Sequence, residues 1–123
     1  MKSHAAEALS LKLKEVLDTE FVREVLDRRI ASKSAPTAQL LRSSTSATLV
    51  RTKVLAAFAK NEETVRLSDL ALFKPSELKR MTNLGEKTLR WLEEYLQLLD
   101  VVLPETRSVH GMSQEARSFL ASL

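Results

Sequence analysis

Apolar residues recur along this chain at intervals of three and four and seldom alternate strictly with polar ones, which is the periodicity of helices. From Ala5 to Leu17, Leu9, Leu13 and Val16 or Leu17 form one such stripe and predict an amphipathic helix. Asp18-Thr19-Glu20 then supplies a cap and an acidic first turn for a second helix, whose apolar side carries Phe21, Val22, Val25, Leu26 and Ile30. The two segments form either an antiparallel pair or a single bent helix. Residues 31–48 are rich in Ser, Thr and Ala, contain Pro36 and hold an apolar island at Leu40-Leu41, so they read as a linker or as a short helix between two loops. This stretch marks a boundary between an N-terminal helical unit with its linker, residues 1–43, and a second helical domain with a tail, residues 44–123.

Ser44, Thr45 and Ser46 are all suited to cap the next helix, in which Ala47, Val50, Val54 and Phe58 repeat at helical spacing. Arg51 lies beside that stripe, at the edge of the core with its head in solvent. The pattern breaks over residues 61–66, and Ser68-Asp69 restart it as a short turn that delivers Leu70, Leu72 and Phe73 to the core.

The densest signal runs from Lys74 to Leu99. A short helix with Pro75 in its first turn stops at Thr82-Asn83-Leu84-Gly85, and a longer one restarts at Glu86. So tight a junction needs residues that accept positive φ, a place expected for Asn83 and Gly85, with Leu84 plugging the space between the helices. The pattern is a helix-hairpin-helix. The restarting helix presents unpaired N–H groups and the positive end of its dipole, with Lys87 and Thr88 in its first turn, an arrangement that favours a phosphate. Further on it carries two apolar strips, Leu89, Leu92, Leu96 and Leu99 on one face and Trp91, Tyr95 and Leu98 beside it. The second strip is covered either by the tail, through Val101, Val102, Leu103 and then Phe119 and Leu120 of a short helix opening at Ser113, or by a protein partner that Trp91 and Tyr95 would anchor.

Composition narrows the picture. Two Gly and three Pro among 123 residues leave little turn chemistry for strand hairpins, and 44 % hydrophobic with 28 % charged residues is an ordinary globular balance, so the expected fold is a compact all-α domain. The absence of cysteine excludes disulfides and thiolate chemistry. Glu7, Lys12 and Lys14 interrupt the N-terminal apolar positions, so that segment is neither a signal peptide nor a membrane span, and a soluble, cytoplasmic protein is expected. A net charge of +3 is compatible with nucleic acid. Arg23, Arg28, Arg29 and Lys33 gather at the end of the N-terminal unit, where they either touch a phosphate backbone or answer their own helix dipole and pair with Glu24 and Asp27. His4 and His110 stand alone, with no Gly-rich phosphate loop, metal-ligand spacing or carboxylate pair to work with, so no catalytic residue, metal or cofactor is expected and the chain does not read as an enzyme.

Asn83-Leu84-Gly85, then Lys87, Thr88 and Leu89, resemble the hairpin of the C-terminal domain of the bacterial RNA polymerase alpha subunit. Leu49-Val50-Arg51 opening a helix through Phe58, Leu67-Ser68-Asp69-Leu70 and Ser76-Glu77-Leu78 follow that domain's order, so the resemblance covers residues 46–102. It implies a transcription-related module in a bacterial cytoplasm that meets the minor groove and phosphates of double-stranded DNA, non-specifically or with an A·T leaning, through Arg51, Asn83, Gly85, Lys87 and Thr88. Glu86 and Trp91 stand where that family commonly has a basic and an acidic residue. The alternative it leaves is a non-catalytic interaction module that meets a transcription regulator, RNA polymerase or a second copy of the chain through Trp91, Tyr95 and Leu98.

Overall fold

In the computed structural model, which describes residues 8–103, the regular elements are all helices. They are α1 (Leu13–Val16), α2 (Thr19–Arg29), a 3-10 turn (Ile30–Ser32), α3 (Ala35–Leu41), α4 (Ser44–Ala57), a second 3-10 turn (Ala59–Asn61), α5 (Leu67–Leu70), α6 (Pro75–Thr82) and α7 (Glu86–Leu98). The all-α reading holds, and the last two helices form the hairpin.

The helix expected from Ala5 to Leu17 is interrupted instead. Its first residues lie outside the described ones, and at Leu11-Lys12 the chain runs alongside residues 65–67. Leu13 N–H donates to the Val65 carbonyl at 2.8 Å and Leu67 N–H donates to the Leu11 carbonyl at 3.0 Å. These long-range bonds replace helical ones, and they turn Leu13 and Val16 of α1 fully into the core. Asp18 then caps α2 as expected, its carboxylate accepting the Glu20 N–H at 3.1 Å, so the segment is two helices and not one bent helix.

Residues 31–48 take the short-helix alternative. Pro36 sits in the first turn of α3, where its missing N–H costs nothing, and Leu41 at the other end is buried. The cap of α4 comes one residue earlier than expected: the Ser43 hydroxyl, rather than Ser44, Thr45 or Ser46, accepts the Ser46 N–H at 3.2 Å. Val50, Val54 and Phe58 make its buried stripe. At α5 and α6 a first-turn carboxylate reaches back to the residue before the helix, Asp69 to Arg66 N–H and Glu77 to Lys74 N–H, both at 2.9 Å.

α7 is the axis of the core. Leu92 and Leu96 of its first strip are fully buried, and so are Trp91 and Tyr95 of the second, with Leu98 beside them. The indole and phenol rings stack at 5.0 Å and 21°. Trp91 Nε1–H donates to the Leu41 carbonyl at 3.0 Å, and the Tyr95 hydroxyl donates to the Val16 carbonyl at 2.6 Å. Both acceptors close a helix, α3 and α1 respectively, where carbonyls have no intrahelical partner. The strip is therefore covered by the N-terminal helices, and Trp91, Tyr95 and Leu98 are internal packing rather than an open face for a partner. Val101 and Leu103 add to the cover and Val102 is 72 % exposed; Phe119, Leu120 and the helix expected at Ser113 lie outside the described residues. One hydrophobic cluster runs from Ala8 to Leu103, so residues on both sides of position 43/44 share the same core.

Two cations of the N-terminal cluster fasten the far end of α7. Arg29 Nη1 donates to the Leu98 carbonyl at 2.6 Å and faces Asp100 at 3.5 Å. Lys33 Nζ donates to Gln97 Oε1 at 2.7 Å and faces Glu94 at 3.5 Å. Their ion-pair partners are therefore on and just after α7, and are neither Glu24 nor Asp27, while Arg29 also stands in the last turn of its own helix.

Burial raises the Tyr95 pKa far above that of a free tyrosine. The native state thus favours the protonated phenol, so this contribution to stability is intact below the unfolded value near pH 10 and is lost as pH rises above it. Denaturant unfolding is expected to show wild-type stability falling above about pH 10, and falling less steeply in Tyr95→Phe. At neutral pH, Tyr95→Phe is expected to cost about 1–3 kcal/mol by stranding the Val16 carbonyl, and Trp91→Ala about 3–5 kcal/mol.

Candidate nucleic-acid interface

α6 ends because Asn83 turns left-handed, at φ 55° and ψ 36°, a conformation that Asn tolerates better than other side chains with a Cβ. Leu84 follows, 2 % exposed, as the expected plug between the helices. Gly85 departs from expectation: at φ −69° and ψ 163° it is extended, so the turn needs one left-handed residue and not two. It serves as the cap of α7, its carbonyl accepting Leu89 N–H at 2.9 Å. A Cβ built on Gly85 would meet nothing within 4 Å, so the chain at the start of α7 faces open space at this residue. The N–H groups of that turn have no intrahelical partners.

The side chains around this end divide. Lys87 is exposed. Thr88 is largely buried, at 9 % exposed, and adds little surface to this end. Glu86 is exposed and faces Lys79 across the turn at 3.1 Å, a solvent-exposed pair that offsets part of its charge. Arg80 in the last turn of α6 and Arg90, one turn beyond Lys87, are exposed and add positive charge on both flanks.

Arg51 is not brought to the hairpin. Its guanidinium donates to the Thr19 hydroxyl in the first turn of α2, a residue outside the stretch that carries the family resemblance. The cation that does reach the turn is Lys53, whose Nζ donates to the Asn83 carbonyl at 2.9 Å. Positions two apart on a helix are separated by about 200°, so Arg51 and Lys53 stand on different flanks of α4. Sequence reasoning passed over Lys53 because its only signal is adjacency to the apolar stripe, which Arg51 shares. Beside the hairpin, Pro36, Thr37 and Leu40 of α3 form a groove with Glu86, Lys87 and Arg90.

Among the described residues no three His, Asp or Glu side chains are placed to hold a metal ion, and no helix is long and apolar enough to cross a membrane. His4 and His110 lie outside the described residues. Comparison with protein-family models, with curated proteins and with solved structures finds no match to this chain.

The turn geometry makes opposite demands at its two small residues. Asn83→Ala is expected to cost about 1–2 kcal/mol, because alanine resists the left-handed region, whereas Asn83→Gly should hold or raise stability. Gly85→Ala should cost under about 1 kcal/mol, since neither residue brings a side-chain acceptor to the cap. Urea unfolding of the three variants checks this; a larger loss at Gly85 than at Asn83 would contradict the assignment of the left-handed position.

Proposed function

We propose that the end of the molecule formed by α6, the hairpin turn and α7 binds double-stranded DNA through its sugar-phosphate backbone. The observation that carries the reading is the open space at Gly85, the cap of α7, with Lys53 fixed to the turn from α4 and Lys87 exposed beside it. Main-chain N–H groups and a helix dipole recognise a phosphate directionally, and lysines add point charge. Such contacts orient a protein on a duplex without reading bases, so binding is non-specific, or leans to A·T through groove width and not through base edges. The role that the resemblance gives to Arg51 passes to Lys53, and Asn83, Gly85, Lys87 and Thr88 act through the turn they build and the amides and charge they expose. A place in transcription rests on the resemblance to the polymerase alpha domain alone.

Duplex is favoured over single strand by where the aromatic residues lie. Phe58, Phe73, Trp91 and Tyr95 are buried and Phe21 lies on α2, so no aromatic side chain of the described residues stands at the hairpin to stack on a splayed base.

Fluorescence anisotropy with labelled A·T-rich and G·C-rich duplexes at two salt concentrations tests the proposal. The wild-type chain should bind in a salt-sensitive manner, and Lys53→Ala or Lys87→Ala, each removing one phosphate-binding charge, should flatten the slope of log K against log salt by about 0.9. Arg51→Ala should change affinity by less than about 2-fold, since its guanidinium faces Thr19. Absence of salt-sensitive binding by the wild type at low salt would overturn the proposal.

A further inference from the structure

Away from the hairpin, between α2 and the junction of α3 with α4, the surface opens into a groove of about 360 Å³. Val22, Ile30 and Leu41, all buried, form its floor, and Leu26 and Ala47, half-buried, present its apolar surface.

Its charge is unbalanced. Arg23 and Arg42 stand at the rim against one carboxylate, Asp27. Neither guanidinium makes a hydrogen bond or ion pair among the described residues, in contrast to Arg29 and Lys33, which are engaged by the end of α7. A third guanidinium, that of Arg51, is held beside the groove by Thr19, which is itself a lining residue. An apolar strip between unengaged arginines matches a ligand with the converse pattern, apolar anchors at helical spacing flanked by carboxylates that arginine can take two oxygens at a time.

We propose that this groove receives an amphipathic, acidic segment of a partner protein, lying along α2 with its apolar residues over Leu26 and Ala47 and its carboxylates on Arg23 and Arg42. A nucleic acid fits less well, because a phosphate backbone has nothing to place over the apolar strip. A second copy of the chain is disfavoured by charge, since the chain carries a net +3 and would meet a basic rim with a basic surface. The inference is independent of DNA binding at the hairpin, because Arg51 and Lys53 stand on different flanks of α4.

The test uses the full chain and two labelled synthetic peptides of about four helical turns with leucines at four-residue spacing, one with Glu at the flanking positions and one with Gln there. Anisotropy should give a Kd on the order of 10–100 µM for the Glu peptide, with about 10-fold weaker binding of the Gln peptide and of the Glu peptide to the Arg23→Glu/Arg42→Glu variant. Far-UV circular dichroism of that variant should match the wild type, as both side chains are exposed, and a milder Arg23→Gln/Arg42→Gln variant should lie between the two. Equal affinity for the two peptides, undiminished binding in the variants, or no binding of the Glu peptide at about 1 mM would each overturn the proposal. So would sedimentation showing a peptide-free dimer that the Glu variant abolishes, which would assign the groove to a second copy.

Discussion

Two short helices in this molecule end on carbonyl groups that their own backbone does not satisfy, and one long helix supplies both donors. α1 has four residues and α3 has seven, lengths at which a helix does not persist by itself. The Val16 and Leu41 carbonyls at their ends are buried against α7, where an unpaired acceptor is costly. Tyr95 and Trp91, one turn apart and stacked, cap them. The same two side chains fill the largest volumes in the core, so local helix termination and global packing depend on a single pair of residues. Because that pair commits most of the circumference of α7 to the interior, the helix keeps only a narrow exposed side, Lys87, Arg90 and Gln97, together with its first turn. The side of the helix is thereby left with little surface of its own.

The cations of the chain follow from this arrangement. Arg29 and Lys33 hold the far end of α7, Lys53 holds the hairpin turn, and Arg51 holds the first turn of α2. Each is a long side chain reaching across the sequence to another helix or to the hairpin turn. Among the cations without such a contact, Lys87 and Arg90 stand at the hairpin and Arg23 and Arg42 at the groove. A modest net charge of +3 therefore conceals two separate concentrations of positive charge.

What the sequence revealed was what neighbouring residues decide among themselves. The stripe of α4, the Asp18 cap, Pro75 opening α6, the left-handed Asn83 and the Leu84 plug all rest on interactions within a few positions, and all were legible. The second apolar strip of α7 was legible as a strip, but its cover was not, since Leu41 and Val16 lie 50 and 79 residues from their donors. The break at Leu11-Lys12 has the same origin, its hydrogen bonds running to residues 65–67. Gly85 departs from its expected conformation because glycine at a turn suggests positive φ, whereas here the residue is extended and Asn83 alone takes the left-handed place in the turn. At the candidate site the decisive fact was which flank of α4 faces the hairpin. That is fixed by Thr19 and Asn83 together, and no spacing within α4 distinguishes Arg51 from Lys53.

The most direct test of this account is a titration of the 15N-labelled full chain with an A·T-rich duplex, followed through the backbone amide resonances. DNA binding at the hairpin predicts the largest shifts at residues 83–88 and at Lys53, with residues 22–29 of α2 and Arg51 little changed. Largest shifts along α2 or at Arg51, with the first turn of α7 unmoved, would contradict it.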